Sequence, residues 1–309
     1  MFDRELFDDA RREFLSHLLY AKGHSKTTCY VYNSDLGIWR DWLIEAGKDW
    51  QAAQYRDVEQ FAAWLMRTRG VKAHIVNRRL SALSTFYKWL QRGGIVDHDP
   101  VALAEKPKRP LRIPVWLEKE EQAKLEATIK DRRNIPINIF GHNQERMTET
   151  RRRYELLFGL LLNSGLRISE ALHLKASDVR LVAGTAKSVR VVGKGDKERL
   201  VPLPEAFGAV FGFWLKDRAR GEFVFARALG QKPVSAQAAR AYLRGMLKQA
   251  GIDKKISPHK LRHTYATNLL NAGAELVDIK ALLGHESVAT TQIYTNVGQE
   301  RMEQVVGRL

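Results

Sequence analysis

The chain has 309 residues, 44% of them hydrophobic, enough to fill the cores of two domains and too apolar for a disordered polymer. Fifty-one Lys and Arg against 35 Asp and Glu leave a formal charge of +16, which points to a polyanionic partner because neutralised phosphates release counterions. The longest apolar run, Leu156–Leu162 broken by Gly159, is far short of the ~20 residues of a membrane span, and basic residues spread along the chain argue against a membrane-surface helix.

The single cysteine, Cys29, leaves no internal disulfide and fits a reducing cytoplasm, and the charged start "MFDRELFDDARREF" lacks a signal-peptide pattern. Phe2, Leu6, Ala10, Phe14 and Leu18 recur at helical spacing and predict a first helix that stops at Gly23. Ser25 suits the N-cap of a second, carrying Val31, Ile38, Trp39, Trp42 and Leu43. A third is expected to open at Asp57 and a fourth to run from Ala73 to Arg92, closed by Gly93-Gly94. Together they predict a small helical bundle. Lys72, Asn77, Arg78, Arg79 and Lys88 lie between the apolar positions of the fourth helix, where DNA or plain solvent would satisfy them equally well.

Three prolines in "EKPKRPLRIPVW" (105–116) then break the helical pattern, with Lys106, Lys108 and Arg109 among them. This reads as a stiff basic strap between domains, either laid along phosphates or serving as an ordinary linker. Past it, Glu118–Lys130 predicts a helix, 131–153 reads as a loop or short extra helix, and "YELLFGLLLNSG" is a buried helix closed by Gly165. In 187–203, Val189 and Val191, then Arg199, Val201 and Leu203, alternate about "GKGDKE", which predicts a hairpin with Lys194 at its tip.

The segment "PHKLRHTYAT" gathers His259, Arg262 and His263 with no carboxylate. Ser257 as N-cap and Pro258 at the first helical position place His259 and Arg262 on one face of a first turn, where free N–H groups and the helix dipole also favour an anion. A ligand phosphate is thus expected to supply the missing negative charge. Zinc held by His259, His263 and His285 is the competing reading, opposed by the cationic Arg262 beside it. Downstream, Leu276, Ile279, Leu282 and Leu283 predict a helix ended by Gly284, with His285 just beyond and Tyr294 nine residues further on.

The ordered set Arg167 in "SGLRISEAL", Lys194 in "VVGKGDKERLVPL", His259 and Arg262 in "PHKLRHTYAT", His285 in "LLGHESVATTQIYT" and Tyr294 resembles the tyrosine recombinases, the phage-integrase family, and its Xer-type, resolvase-like branch in particular. The resemblance implies a mainly α fold with a small antiparallel β-sheet. An all-helical core-binding domain (1–104) would be joined by the strap to an α+β catalytic domain (117–309). It also implies site-specific recombination of double-stranded DNA through a 3′-phosphotyrosine and a Holliday junction, by a homotetramer on two duplexes with or without a related recombinase. Tyr294 would be the nucleophile, Arg167, Arg262 and His285 the phosphate ligands, Lys194 the general acid, and His259 a proton acceptor or phosphate ligand. Glu170 would brace the pocket, and the tail carrying Met302, Val305 and Val306 would dock on a neighbour. No metal or nucleotide cofactor is implied. A type IB topoisomerase and a non-catalytic DNA-binding regulator are the alternatives.

Overall fold

In the computed structural model, Asp3 starts the first helix, α1 (Arg4–Ser16), by accepting the Leu6 N–H at 3.0 Å. The helix runs on into a π-helical turn, His17–Ala21. The structure describes residues 2–108, 115–130, 144–193, 198–228 and 231–284. Strap residue Arg109, Lys194, His285, Tyr294 and the 298–309 tail all lie outside the described residues. The chain divides into two units, Met1–Arg112 and Ile113–Leu309.

In the first unit, Ser25 caps α2 (Lys26–Glu45), accepting the Thr28 N–H at 3.1 Å. Helix α3 (Tyr55–Arg67) begins two residues earlier than the sequence pattern places it. Asp57 does help start it, but from the third helical position, where its carboxylate accepts the Gln54 N–H at 2.8 Å. Helix α4 spans Ala73–Arg92. The core between these helices is aromatic: Phe7, Phe14, Trp39, Trp50, Phe61, Phe86 and Tyr87 are all at most 1% exposed, each ring worth roughly 1.5–3 kcal/mol of burial. Two of its polar side chains are linked, since Trp39 Nε1 donates to the Tyr87 hydroxyl at 3.1 Å and that hydroxyl donates to the Trp50 carbonyl at 2.9 Å.

The second unit is helical around one small sheet. Helix α5 covers Lys119–Lys130, and α6 covers Gln144–Ser164. The polar stretch expected as a loop or short extra helix is therefore part of α6 from Gln144 onward. Its arginines hide the pattern because one of them points inward: Arg153, 3% exposed, donates to the Arg227 carbonyl at 2.7 Å. Helix α7 (Ile168–His173) follows, then β1 (Val179–Val182), β2 (Thr185–Val192) and β3 (Glu198–Pro202) in an antiparallel sheet of order β1-β2-β3. The pairing of β2 with β3 is the expected hairpin, with Val189 opposite Val201 and Val191 opposite Arg199. Strand β1 leaves no alternation in the sequence, because Val179 alone of its four residues is buried.

Helix α8 (Glu205–Leu215) lies on β2 at glycine distance. A Cβ at Gly208 would strike the Ala186 carbonyl and one at Gly212 the Gly184 carbonyl, so this i,i+4 pair sets the approach. Helices α9 (Ala236–Gln249), α10 (Pro258–Asn271) and α11 (Leu276–Leu283) complete the unit. Among the described residues, no helix is long and apolar enough to cross a membrane.

Candidate active site

Helix α6 ends at Ser164, and the chain turns through Gly165 at φ +61°. A side chain there would run into Tyr265 and Leu283, so both the backbone angle and the space require glycine. The turn buries Leu166 and leaves Arg167 as the N-cap residue of α7. Glu170, at the third position of α7, then accepts the Arg167 N–H at 2.8 Å and its Nη1 at 2.7 Å. The motif "SGLRISE" thus fixes both the backbone and the guanidinium of Arg167.

On α10, Pro258 stands at the first helical position after Ser257, as the sequence predicts. His259 and Arg262 do not, however, face solvent alike. His259 is exposed, whereas Arg262 is 1% exposed and reaches inward between two helix ends. Its Nη1 donates to the Gly165 carbonyl at 2.8 Å and its Nη2 to the Leu283 carbonyl at 2.5 Å. These carbonyls are acceptors that a helix terminus leaves over. They orient the guanidinium.

Partial burial, followed by the nearby charges of Arg262 and Arg167, lowers the pKa of His259 and so favours the neutral ring. That dependence on both arginines puts the three side chains in one electrostatic neighbourhood. His263 meets His259 edge to face, ring centroids 4.9 Å apart, and burial with the adjacent His259 brings its pKa down to about 4.

One residue of the site lies inside a quoted motif, "VVGKGDKERLVPL", where the sequence shows it only as part of the hairpin's alternation: Arg199. It sits on the inward side of β3, its side chain 14% exposed, and donates Nη1 and Nη2 to the two oxygens of Glu170 at 3.2 and 2.8 Å. Its Nε donates to the Leu282 carbonyl at 3.1 Å. Burial alone would raise the pKa of Glu170, but hydrogen bonds from Arg199 and Arg167 outweigh it and hold the carboxyl below its usual range. A signal for it exists in the sequence, since an arginine at an inward position of an alternating strand must find a buried partner.

Of the residues predicted to face DNA, Lys72, Lys88, Lys106 and Lys108 are exposed or partly so. Arg78 and Arg79 both pair with Asp35, which is 2% exposed. Asn77 is turned the other way. It is 6% exposed, and its amide donates to the Pro107 carbonyl at 2.9 Å, tying the start of the strap to α4.

Residues 138–301 match the phage integrase family and residues 12–94 the N-terminal SAM-like domain of phage integrases. The chain is 31% identical over 308 residues to tyrosine recombinase XerD of Listeria monocytogenes, covering 96% of this chain and 97% of that one. It is 35% identical over 304 residues to XerD of Proteus mirabilis, with coverage of 94% and 89%. Among solved structures, XerH site-specific recombinase bound to palindromic difH substrate, a post-cleavage complex, superposes with a TM-score of 0.73 at 20% identity, over 96% of this chain and 84% of that one. A lambda integrase dimer bound to a core site gives 0.71 at 18% identity, over 97% of each chain. These two likenesses are of fold.

Proposed function

The chain belongs to the phage integrase family of tyrosine recombinases and is a site-specific recombinase that breaks and rejoins DNA strands, and from this we propose how its own residues share the chemistry. The observation that carries the proposal is a convergence of guanidiniums: Arg167 and Arg199 share a single carboxylate, Glu170, and Arg262 donates to the carbonyl of Gly165, two residues before Arg167. Such a pocket suits a phosphodiester whose oxygens gain negative charge in the transition state. Guanidiniums stay charged at any working pH and bind phosphate oxygens in pairs.

Within that reading, the Tyr294 phenol attacks phosphorus and the bond to the 5′ oxygen breaks, leaving a 3′-phosphotyrosine and a free 5′-hydroxyl. The phosphodiester energy is kept in the new bond, so the reverse attack by a 5′-hydroxyl from a second duplex reseals the strand. Neutral His259 accepts the phenolic proton, Lys194 donates one to the departing oxygen, and Arg167, Arg262 and His285 hold the phosphate. The partner is double-stranded DNA, and the assembly is a tetramer on two duplexes, working through a Holliday junction.

Tyr294→Phe tests this directly. On a nicked duplex from which the cleaved 5′ fragment diffuses away, the wild-type chain accumulates a covalent adduct at the 3′ phosphate. The variant accumulates none while still shifting the DNA in a gel. An adduct formed by the variant would assign the nucleophile elsewhere.

A further inference from the structure

Resting on that assignment of the pocket, we propose that Arg199 is a positioning residue for strand cleavage: it keeps Glu170 from neutralising Arg167 and braces the end of α11, from which the chain continues to His285. The first half follows from how the carboxylate is divided. Glu170 has two oxygens, and Arg167 and Arg199 each reach it, Arg199 touching both. Without Arg199, the whole negative charge of Glu170 would fall on Arg167, and a neutralised guanidinium is a poorer phosphate ligand. With Arg199 in place, the trio carries one net positive charge, and Arg167, its side chain 40% exposed, is the member open to a ligand.

The second half follows from the Nε contact. Leu282 and Leu283 carry carbonyls in the last turn of α11, where helical partners run out. Arg199 takes the first and Arg262 the second. Gly284 then turns at φ +65°, and its bare Cα lets Arg199 lie across it: an added Cβ would sit 3.1 Å from Nη1 and 3.3 Å from Cδ. Two arginines from different elements thus clamp the helix end that leads into the remaining site residues. Arg199 does this from a strand whose partner, β2, leads directly to the Lys194 turn.

The experiment is single-turnover cleavage by the full-length chain at saturating protein. The probe is a nicked duplex of the sequence that the wild-type chain enriches from a random library by covalent capture. Arg199→Leu should lower the rate of adduct formation roughly 10- to 100-fold, with the DNA dissociation constant within about threefold, as expected when few phosphate contacts change. Arg199→Lys, which keeps the charge but not the fork, should recover part of that loss. In a Glu170→Gln background, Arg199→Leu should cost markedly less than in the wild type, because the route through the carboxylate is already cut. Arg190→Gln, on the neighbouring strand and paired with Asp178 and Glu198, is the control and should cleave normally.

Wild-type cleavage by Arg199→Leu, or a loss that appears wholly in DNA affinity, overturns the inference. If Arg199→Leu does not fold, Arg199→Lys and the double variant decide: equal, additive losses with no rescue would make Arg199 structural. If the wild-type chain itself captures no DNA, the functional reading falls and this inference with it.

Discussion

Asp35 in the first unit and Glu170 in the second are the same device in different surroundings. Each is a nearly buried carboxylate between two arginines, one of them half open to solvent: Arg78 and Arg79 for Asp35, Arg167 and Arg199 for Glu170. Around Asp35 the packing is aromatic and aliphatic, and its two arginines tie α2 to α4 in a bundle with an aromatic core. Around Glu170 stand a third arginine, Arg262, and two histidines held neutral. The same ion cluster therefore closes a fold in one unit, and in the other leaves positive charge for a ligand. The surroundings of the carboxylate, more than the carboxylate itself, separate the two roles.

The comparison breaks most readily at Arg262. Arg262→Gln removes the charge and one of the two carbonyl contacts, so cleavage at saturating DNA should fall ~10²–10³-fold, the usual cost of losing a fixed donor to a developing anion. Arg78→Gln should leave that rate unchanged. Single-turnover adduct formation measures both, and a reversal of the two outcomes would exchange the roles assigned to the clusters.

Asp35→Asn should do the opposite. It strands two arginines against one another and should lower unfolding free energy by ~1–3 kcal/mol, less than the ~3–5 of a fully buried pair because Arg78 reaches water. Denaturant melts read this, and the cleavage rate of the folded fraction should stay at the wild-type value. A rate defect without a stability defect would make the first cluster functional.

A smaller effect concerns pH. His263 has its folded-state pKa depressed to about 4 by burial and by His259, while the unfolded side chain titrates near its ordinary value of 6.5. Between those values the unfolded chain binds the extra proton, so stability is full above pH ~6.5 and declines as pH falls toward 4, with His259 adding in the same direction. A melting temperature that drops on acidification across this window, and drops less steeply in His263→Gln, is the expected result. Equal slopes would place the acid-sensitive group elsewhere.

What is legible in the sequence follows from periodicity and punctuation. Apolar spacing and glycine stops delimit α2, α4 and the β2–β3 hairpin, and the anion-favouring helix start at Ser257-Pro258 is present. What escapes are the places where a polar residue points inward. Arg153 disguises the first turns of α6 as a loop, Asn77 looks like a DNA contact on a basic helix, and Arg199 passes as one more strand residue. In each case the partner is a backbone carbonyl distant in sequence, 74, 30 and 83 positions away, which no local pattern encodes. The inward turn of Arg262 belongs to the same class. Helical spacing puts it beside His259, but the two carbonyls that draw it under the surface come from the ends of α6 and α11.

The smallest expected effect concerns the strap and the outer face of the first unit. Asn77 holds Pro107, so Lys106 and Lys108 leave the bundle from a fixed point with both side chains in solvent. Exposed lysines near a duplex act chiefly by displacing condensed counterions, a contribution blind to sequence. Replacing both by glutamine should weaken binding alike on specific and random duplexes and flatten the dependence of log affinity on log salt by ~1–2 units. Asn77→Ala, which frees the strap but removes no charge, should leave that slope unchanged while lowering affinity on all sequences, because the lysines must then be ordered on binding. An unchanged slope in the double glutamine variant would mean that these lysines do not meet phosphates. A slope change in Asn77→Ala would mean that tethering decides how many phosphates the strap reaches.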